Sequence, residues 1–446
     1  MTRPHPDSHR PQSPRRRIPR CKPLITAAAL TAIPLALIGA SDAHAQVPAS
    51  APIMWQTAPN SEVTVNLTVD NPAAPGWLAA YPCADGFRGT SNVNYVAGQT
   101  TSTAAVVRSD AAGKVCVKTL APTEIVVDQF EVRPLAAGLN VGSPVRVLDT
   151  RTSGQRGQDW TLTLGAPNDV VLFNLTAVAP DGPGFLTAWP CDQPMPNASN
   201  VNYVAGDPAV PNFVEAKTSA AGQVCIHSYA VTDVIVDKVG AGSNPTITAH
   251  SPARVVDSRT DGAPVRPGAP RSFHAAAGRS VVSFNLTVTD GAGPGWVKAW
   301  PCDQPEPSTS NINFVAGEIK ANFVKVLTSA SGDVCLAAMT PVNVIVDQVA
   351  EDSSTQFGSA PTRVYDSRTT VPTTPAPPTP PSTAVPAGRV APNHDGSCPD
   401  SAPIKGNANS GIYHRPGQQY YAQTKAEDCF ATAAAAEAAG YRAAKI

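Results

Sequence analysis

Two stretches of this chain, GPGFLTAWPCDQP at 182–194 and GPGWVKAWPCDQP at 293–305, are nearly the same sentence written twice. A looser third version, PGWLAAYPC, ends at Cys83. The cysteines that close these stretches, Cys83, Cys191 and Cys302, are 108 and 111 residues apart. A period near 110 is too long for a solenoid repeat and suits tandem domains. Five further blocks recur in fixed order around them: VNLTV, FNLTA and FNLTV; SNVNYVAG twice and SNINFVAG; GKVCVKT, GQVCIHS and GDVCLAA; EIVVD, DVIVD and NVIVD; RVLDTR, RVVDSR and RVYDSR.

Each copy consists of short β-branched segments separated by Gly, Pro, Asn and Asp, with almost no helical period. This pattern predicts a mostly β chain of three tandem antiparallel β-sandwich (Ig-like) domains, each stapled by a disulfide. A six- or seven-stranded barrel is the alternative for each unit. VNLTV alternates, so one face is expected to be buried, whereas the unbroken apolar runs in EIVVD and DVIVD predict a central strand covered on both sides. The ends pose a counting problem, because no R-V-x-D-x-R strand precedes the first core. If each unit owns the strand that follows it, the β repeat domains span 46–152, 153–261 and 262–368. If each unit instead takes the strand before it, Arg363–Arg368 would reach back to the first unit and tie the array together.

A basic stretch through Arg15–Arg17 and Lys22, an apolar run from Leu24 to Ala40, and Ala43-His44-Ala45 predict a signal peptide over 1–45. Of 33 Lys and Arg and 34 Asp and Glu, seven and two fall in that segment, which leaves 26 against 32 and a net charge of −6. No basic block remains to follow a phosphate backbone, so nucleic acid is not an expected partner. No second apolar stretch is long enough to cross a bilayer, so no membrane association is expected after signal removal. The expected location is secreted, extracellular or associated with the cell envelope. Residues 369–390 form a Pro/Thr-rich linker. A small α+β C-terminal module follows over 391–446, with TKAEDCFATAAAAEAAGYR as its helical segment and Thr424 as N-cap.

Eight cysteines remain after the signal, in pairs separated by 33, 34, 33 and 31 residues. An even count in an exported chain predicts the disulfides Cys83–Cys116, Cys191–Cys225, Cys302–Cys335 and Cys398–Cys429. Alternation puts Trp296, Lys298, Trp300 and Cys302 on one strand face, and sets the second cysteine of each bridge opposite the core-facing valines. Trp77/Tyr81, Phe185/Trp189 and Trp296/Trp300 are each spaced four residues along a strand, about 13 Å. Rings at that distance could stack on a sugar chain, or they could cover their own disulfide. Asp149/Arg151, Asp257/Arg259 and Asp366/Arg368 read as ion pairs at strand ends, and Asn92 and Asn94 as groups that satisfy nearby backbone. Asn66, Asn174 and Asn285 fall in N-x-T sequons. The sequence holds no H-E-x-x-H, G-x-S-x-G or Walker loop, and no histidine recurs between copies, so neither an enzyme nor a cofactor or metal is expected.

Taken together, the six blocks resemble the tandem repeats of exported actinobacterial cell-envelope and secreted proteins, over about 47–369. That resemblance implies an extracellular setting and non-catalytic modules that often accompany wall hydrolases; none is attached here. The tail, CPDSAPIKGNANSGIYHRPGQQYYAQTKAEDCFATAAAAEAAGYRAAK, resembles the actinobacterial sunset domain. Its order of motifs is also similar to the zinc-binding module of the bacterial alkylation-repair regulator, whose further cysteines are replaced here by Gly417 or Gln418 and by Ala443-Ala444-Lys445. A zinc site would have to be assembled from His394, Cys398, His414 and Cys429. Tyr413, His414 and Arg442 are the tail's candidate ligand-facing cluster, with packing of Tyr441 against the helix as the bland alternative.

The function expected from these features is an exported, non-enzymatic binding or adhesion protein, with a cell-wall polymer, a glycan or a surface protein as partner. The alternatives are a structural spacer that presents the C-terminal module, and a zinc-dependent tail acting on nucleic acid or wall fragments.

Overall fold

The computed structural model describes residues 46–49, 52–135, 139–353, 361–369, 389–393, 395–408 and 410–444. The expected signal peptide and nearly all of the Pro/Thr linker lie outside the described residues.

The first copy contributes β1 (Ile53–Gln56), β2 (Ser61–Asp70), β3 (Gly76–Pro82), β4 (Val93–Tyr95), β5 (Thr101–Arg108), β6 (Lys114–Thr119) and β7 (Glu124–Pro134). Next come β8 (Leu139–Asp149), β9 (Gly157–Thr163), β10 (Val170–Val178), β11 (Gly184–Pro190), β12 (Val201–Tyr203), β13 (Val210–Lys217) and the long β14 (Gln223–Gly242). The third copy runs from β15 (Ile247–Asp257) through β16 (Arg271–His274), β17 (Val281–Thr289), β18 (Gly295–Pro301), β19 (Ile312–Phe314), β20 (Lys320–Leu327) and β21 (Asp333–Ala338) to β22 (Asn343–Asp352). The strand β23 (Thr362–Asp366) closes it.

Each unit is a sandwich of two antiparallel four-stranded sheets. In the first the orders are β1-β6-β3-β4 and β23-β7-β2-β5, and in the third β16-β21-β18-β19 and β15-β22-β17-β20. The middle unit has the same plan, with β14 running through both sheets. Alternating apolar residues from the two sheets fill the space between them, as with Val65, Leu67, Leu78, Val117 and Val127 in the first unit. The turn before each second cysteine uses Gly113, Gly222 or Gly332 at positive φ, where a Cβ would collide with the carbonyl of Thr57, Gly165 or Ala276.

The R-V-x-D-x-R strands answer the counting problem. β8 pairs with β14 of the second unit, β15 with β22 of the third, and β23 with β7 of the first. Boundaries at 152, 261 and 368 therefore cut the units in the wrong place: each sandwich takes the strand before it, and the last strand returns to complete the first. The reason is an edge. β7, the second half of β14, and β22 each carry an IVVD-type run that needs a hydrogen-bonded neighbour on both sides, and the incoming strand supplies it. An ion-pair clamp fixes the register. Arg146 bonds Asp237 through Nε and Nη2 at 2.9 and 3.1 Å, Arg254 bonds Asp347 at 2.9 and 3.1 Å, and Arg363 bonds Asp128 at 2.9 and 3.3 Å. The second arginine of each motif, Arg151, Arg259 or Arg368, pairs with Asp149, Asp257 or Asp366. These guanidinium groups hold the Asp149 and Asp257 carboxyls below the usual range.

The exchange brings the three units together in cyclic order. Asn174 donates to the Ser91 carbonyl of the unit before it, Asn285 to Ser199, and Asn66 to Ser310. The polar face of VNLTV, which alternation turns away from its own unit's core, is thus buried against the unit before it, and the three sequon asparagines are 2–3 % exposed. The free edges of β5, β13 and β20 meet around the cyclic axis. Asparagine side chains cap them: the Ala104 N–H donates to Asn322 Oδ1, and the N–H groups of Phe213 and Phe323 both donate to Asn212 Oδ1. Phe213 and Phe323 pack edge to face beside Ala104 in a second core shared by all three units.

In the tail, a sheet of β24 (Arg389–Val390), β25 (Ile404–Asn407), β26 (Ile412–His414), β27 (Asp428–Phe430) and β28 (Arg442–Ala443) carries one short helix, Ala433–Ala438. The expected helix from Thr424 is therefore much shorter. Cys429 is held in β27, between β24 and β25, and this forces the preceding residues into extended chain and turn. Thr432 is the N-cap, accepting from the Ala435 N–H.

Candidate binding face and axial cavity

All four disulfides are formed, with the pairing read from the spacing. Five of the six repeat cysteines are half-buried, as the alternation argument requires; Cys116, at 4 %, is the exception.

The aromatic pairs split into two kinds. The second ring of each is committed to its own unit. Trp189 Nε1 donates to the Gln193 carbonyl at 3.0 Å and Trp300 Nε1 to Gln304 at 3.1 Å, so each indole caps the tight turn written by PCDQP. Tyr81 is buried, with its ring 6.1 Å from that of Phe87. The first ring of each pair is half-exposed: Trp77 stacks on Phe87, Phe185 on the exposed Tyr229, and Trp296 lies under the Lys298 ammonium at 4.2 Å.

Register places these first rings at a shared end of the assembly. Trp77 is directly opposite Asn94, Phe185 opposite Asn202 and Trp296 opposite Asn313. The loops that follow these asparagines, Val96–Gly98, Val204–Gly206 and Val315–Gly317, converge on the axis. They border a cavity of about 720 Å3 that residues from all three units line. Trp77, Val96, Leu120, Val204, Val315 and Ile319 give it apolar walls, and Val204 and Ile319 are 58 and 54 % exposed at its mouth. This volume lies within the range of small-molecule sites.

The cavity's polar groups break the cyclic equivalence. Thr101, Val210 and Lys320 hold equivalent positions on β5, β13 and β20. Lys320 Nζ donates to Thr101 Oγ1 at 2.6 Å, and its other near partner, Glu318, is 4.0 Å away. Burial pulls the Lys320 pKa down, and Glu318 only partly offsets it. Asn313 donates to Ser102 Oγ at 3.3 Å. The residues equivalent to Ser102 are Pro211 and Ala321, which offer no side-chain acceptor, and Asn202 Nδ2 is buried without a hydrogen-bond partner. Glu318 and Asp207 are engaged in their own loops, accepting from the Val315 and Val204 N–H groups. The site therefore offers donors within apolar walls. Sequence reasoning named the rings but missed Lys320 and Ile319, because neither recurs; the repeated SNVNYVAG block was the available signal for the loops.

In the tail, Tyr413 and His414 lie on β26 and Arg442 on the β28 strand paired with it, opposite Ile412. Tyr413 is buried, donates to Glu437 and accepts from Arg415; His414 is half-buried with Nδ1 unpartnered; Arg442 is exposed. Tyr441 packs on Phe430 and bonds Asp428. Cys398 and Cys429 are joined to each other, and among the described residues no group of His, Cys, Asp or Glu is placed to hold a metal. His394 lies outside the described residues. Among the described residues no helix is long and apolar enough to cross a membrane.

The family model described as ArfC matches residues 382–443, which cover the tail and the end of the linker. No curated protein matches the chain. A solved structure described as the triple jelly roll fold and turret assembly in an archaeal virus aligns over 68 % of this chain and 84 % of that one, at 8 % identity and a TM-score of 0.20. Another, of the Sulfolobus turreted icosahedral virus, aligns over 69 and 86 % at 9 % identity and the same score. Likeness at this level carries no weight for fold or role.

Proposed function

We propose that the protein is an exported, non-catalytic binding or adhesion protein of the cell envelope, with a wall polymer, glycan or surface protein as partner. One observation supports this reading above the others. The half-exposed rings Trp77, Phe185 and Trp296 are cross-strand neighbours of the asparagines whose loops converge on the axis, so three copies share one face. Three weak contacts made together gain avidity that none has alone. The charged residues that recur in every copy are engaged in the strand-exchange clamps. Disulfide stapling of every unit suits an oxidising compartment.

The test is sedimentation with insoluble cell-wall preparations, comparing wild type with Trp77→Ala/Phe185→Ala/Trp296→Ala. Binding should fall by about a hundredfold in the triple variant and only modestly in each single one, with an unchanged circular dichroism spectrum. The second reading is a spacer that presents the C-terminal module. It draws on the burial of Tyr81 and Trp300, at 7 and 5 % exposure. Equal sedimentation of wild type and triple variant would favour it.

A further inference from the structure

We infer that the axial cavity is a binding site for an amphiphile with an apolar chain and a carboxylate head, the head received by Lys320 and Asn202. The inference rests on the reading of this end of the assembly as the binding face, but it concerns a small ligand within the cavity and not the polymer or surface that meets the rings.

Three features of the cavity determine the chemistry of the occupant. The walls are apolar, with exposed Val204, Ile319, Leu120 and Val315 and the half-exposed Trp77 arranged around a concave space, so the bulk of the ligand is apolar. The polar groups left over are donors. Asn202 Nδ2 is buried with no partner, because Ala321 stands where the equivalent contact at Asn313 finds Ser102. Lys320, its side chain 13 % exposed, keeps one hydroxyl at 2.6 Å and one carboxylate at 4.0 Å, so a largely covered ammonium has hydrogen-bonding capacity to spare. A largely covered cation is destabilised while its pairing is weak, and an incoming carboxylate provides the opposite charge and the acceptors together. Glu318 and Asp207 are the cavity's own acids, and both already accept loop N–H groups. Glu318 offsets part of the Lys320 charge from 4.0 Å, beyond hydrogen-bond distance, and Asp207 belongs to a loop of the second unit. An alkyl alcohol would satisfy the walls without the charge, and an alkylammonium would meet Lys320 with repulsion.

The experiment is calorimetric titration of the purified full-length protein with decanoate, decan-1-ol and decyltrimethylammonium. Decanoate should bind at one site per chain, about tenfold or more tighter than the alcohol, and the ammonium should not bind. Lys320→Met, which keeps the length and apolar stem of the side chain, should bring decanoate down to the affinity of the alcohol. Val204→Trp, on the exposed wall, should weaken both by narrowing the cavity without touching a core. The inference is overturned if decanoate and decanol bind alike, if Lys320→Met leaves decanoate unchanged, or if no probe binds at millimolar concentration. A protein that sediments with walls yet ignores decanoate overturns this inference alone; one that takes decanoate but no longer sediments supports it while removing the adhesion reading.

Discussion

The thirteen-residue repeat has a residue-scale cause that the first copy reveals by lacking it. In the second and third copies the aspartate of PCDQP ties its turn to the neighbouring one: Asp192 accepts the Ala220 N–H at 2.8 Å and Asp303 the Ala330 N–H at 3.0 Å. The first copy has Ala84 at that position, and the tie runs the other way. Asp110, which replaces the serine of the other copies (Ser219, Ser329), accepts the Ala84 N–H at 3.2 Å while also accepting from Ala112 and Lys114. These backbone N–H groups, with Lys114 foremost, hold the Asp110 carboxyl below the usual range. A sequence comparison sees two unrelated substitutions where the structure has one reciprocal exchange. Asp110→Ser should therefore lower stability by about 1.5 kcal/mol, the low end for one charge-assisted hydrogen bond. Adding Ala84→Asp should recover most of it. Urea unfolding of the two variants measures this, and a purely additive outcome would mean that the two sites are not coupled.

At the scale of the element, the last strand of the repeat region carries the most weight for its length. β23 is five residues long, yet it completes a sheet whose other strands lie more than two hundred residues earlier. Its recurrence was legible, as was the Asp of EIVVD, and both were the only titratable residues to recur. Their partnership was not legible, because alternation and spacing give strands and faces but not which unit a strand joins; that choice is settled by long-range pairing. The same limit explains the VNLTV strand. Its polar residues Thr64, Asn66 and Thr68 alternate as a solvent face would, and they are buried because another unit covers them. Arg363→Ala should open the closure specifically. It leaves Asp128, 1 % exposed, without its guanidinium fork. A fully buried pair broken in this way costs roughly 3–5 kcal/mol, and this one somewhat less because Arg363 reaches solvent. Hydrogen exchange should then accelerate along Glu124–Pro134 while β14 and β22, clamped by Arg146 and Arg254, keep their protection. Uniform acceleration across all three units would show that the closing strand has no separate role.

For the molecule as a whole, cyclic arrangement forces the three copies to differ where they meet. Equivalent side chains approach one another at an axis, so three phenylalanines would overfill it and three like charges would repel. The chain instead carries Ala104, Phe213 and Phe323 at one level and Val106, Glu215 and Lys325 at the next. Searching for recurring residues could not find them, since departure from recurrence is what the position demands. Lys325 Nζ is 3.3 Å from Glu131 and 3.8 Å from both Glu62 and Glu215, and Arg133 pairs with Glu62 and Asp352 nearby. Four carboxyl groups face two cations, all buried. Burial pushes the Glu215 carboxyl up, against the pull of Lys325 and Arg133. A carboxyl raised on folding contributes stability that is complete below its unfolded pKa and is lost as pH rises through the folded value. Glu215→Gln should remove that loss, so its melting temperature should fall less than that of wild type between about pH 5 and pH 8. Lys325→Met should act in the opposite sense. It takes the ammonium from three buried carboxyl groups and should cost roughly 3–5 kcal/mol at neutral pH, with part regained in acid as Glu215, already raised by burial, takes up its proton. Melting curves of the three proteins across this range decide the matter: parallel profiles would mean that Glu215 does not titrate with folding, and a Lys325→Met protein as stable as wild type would mean that the axial ammonium does not hold the cluster together.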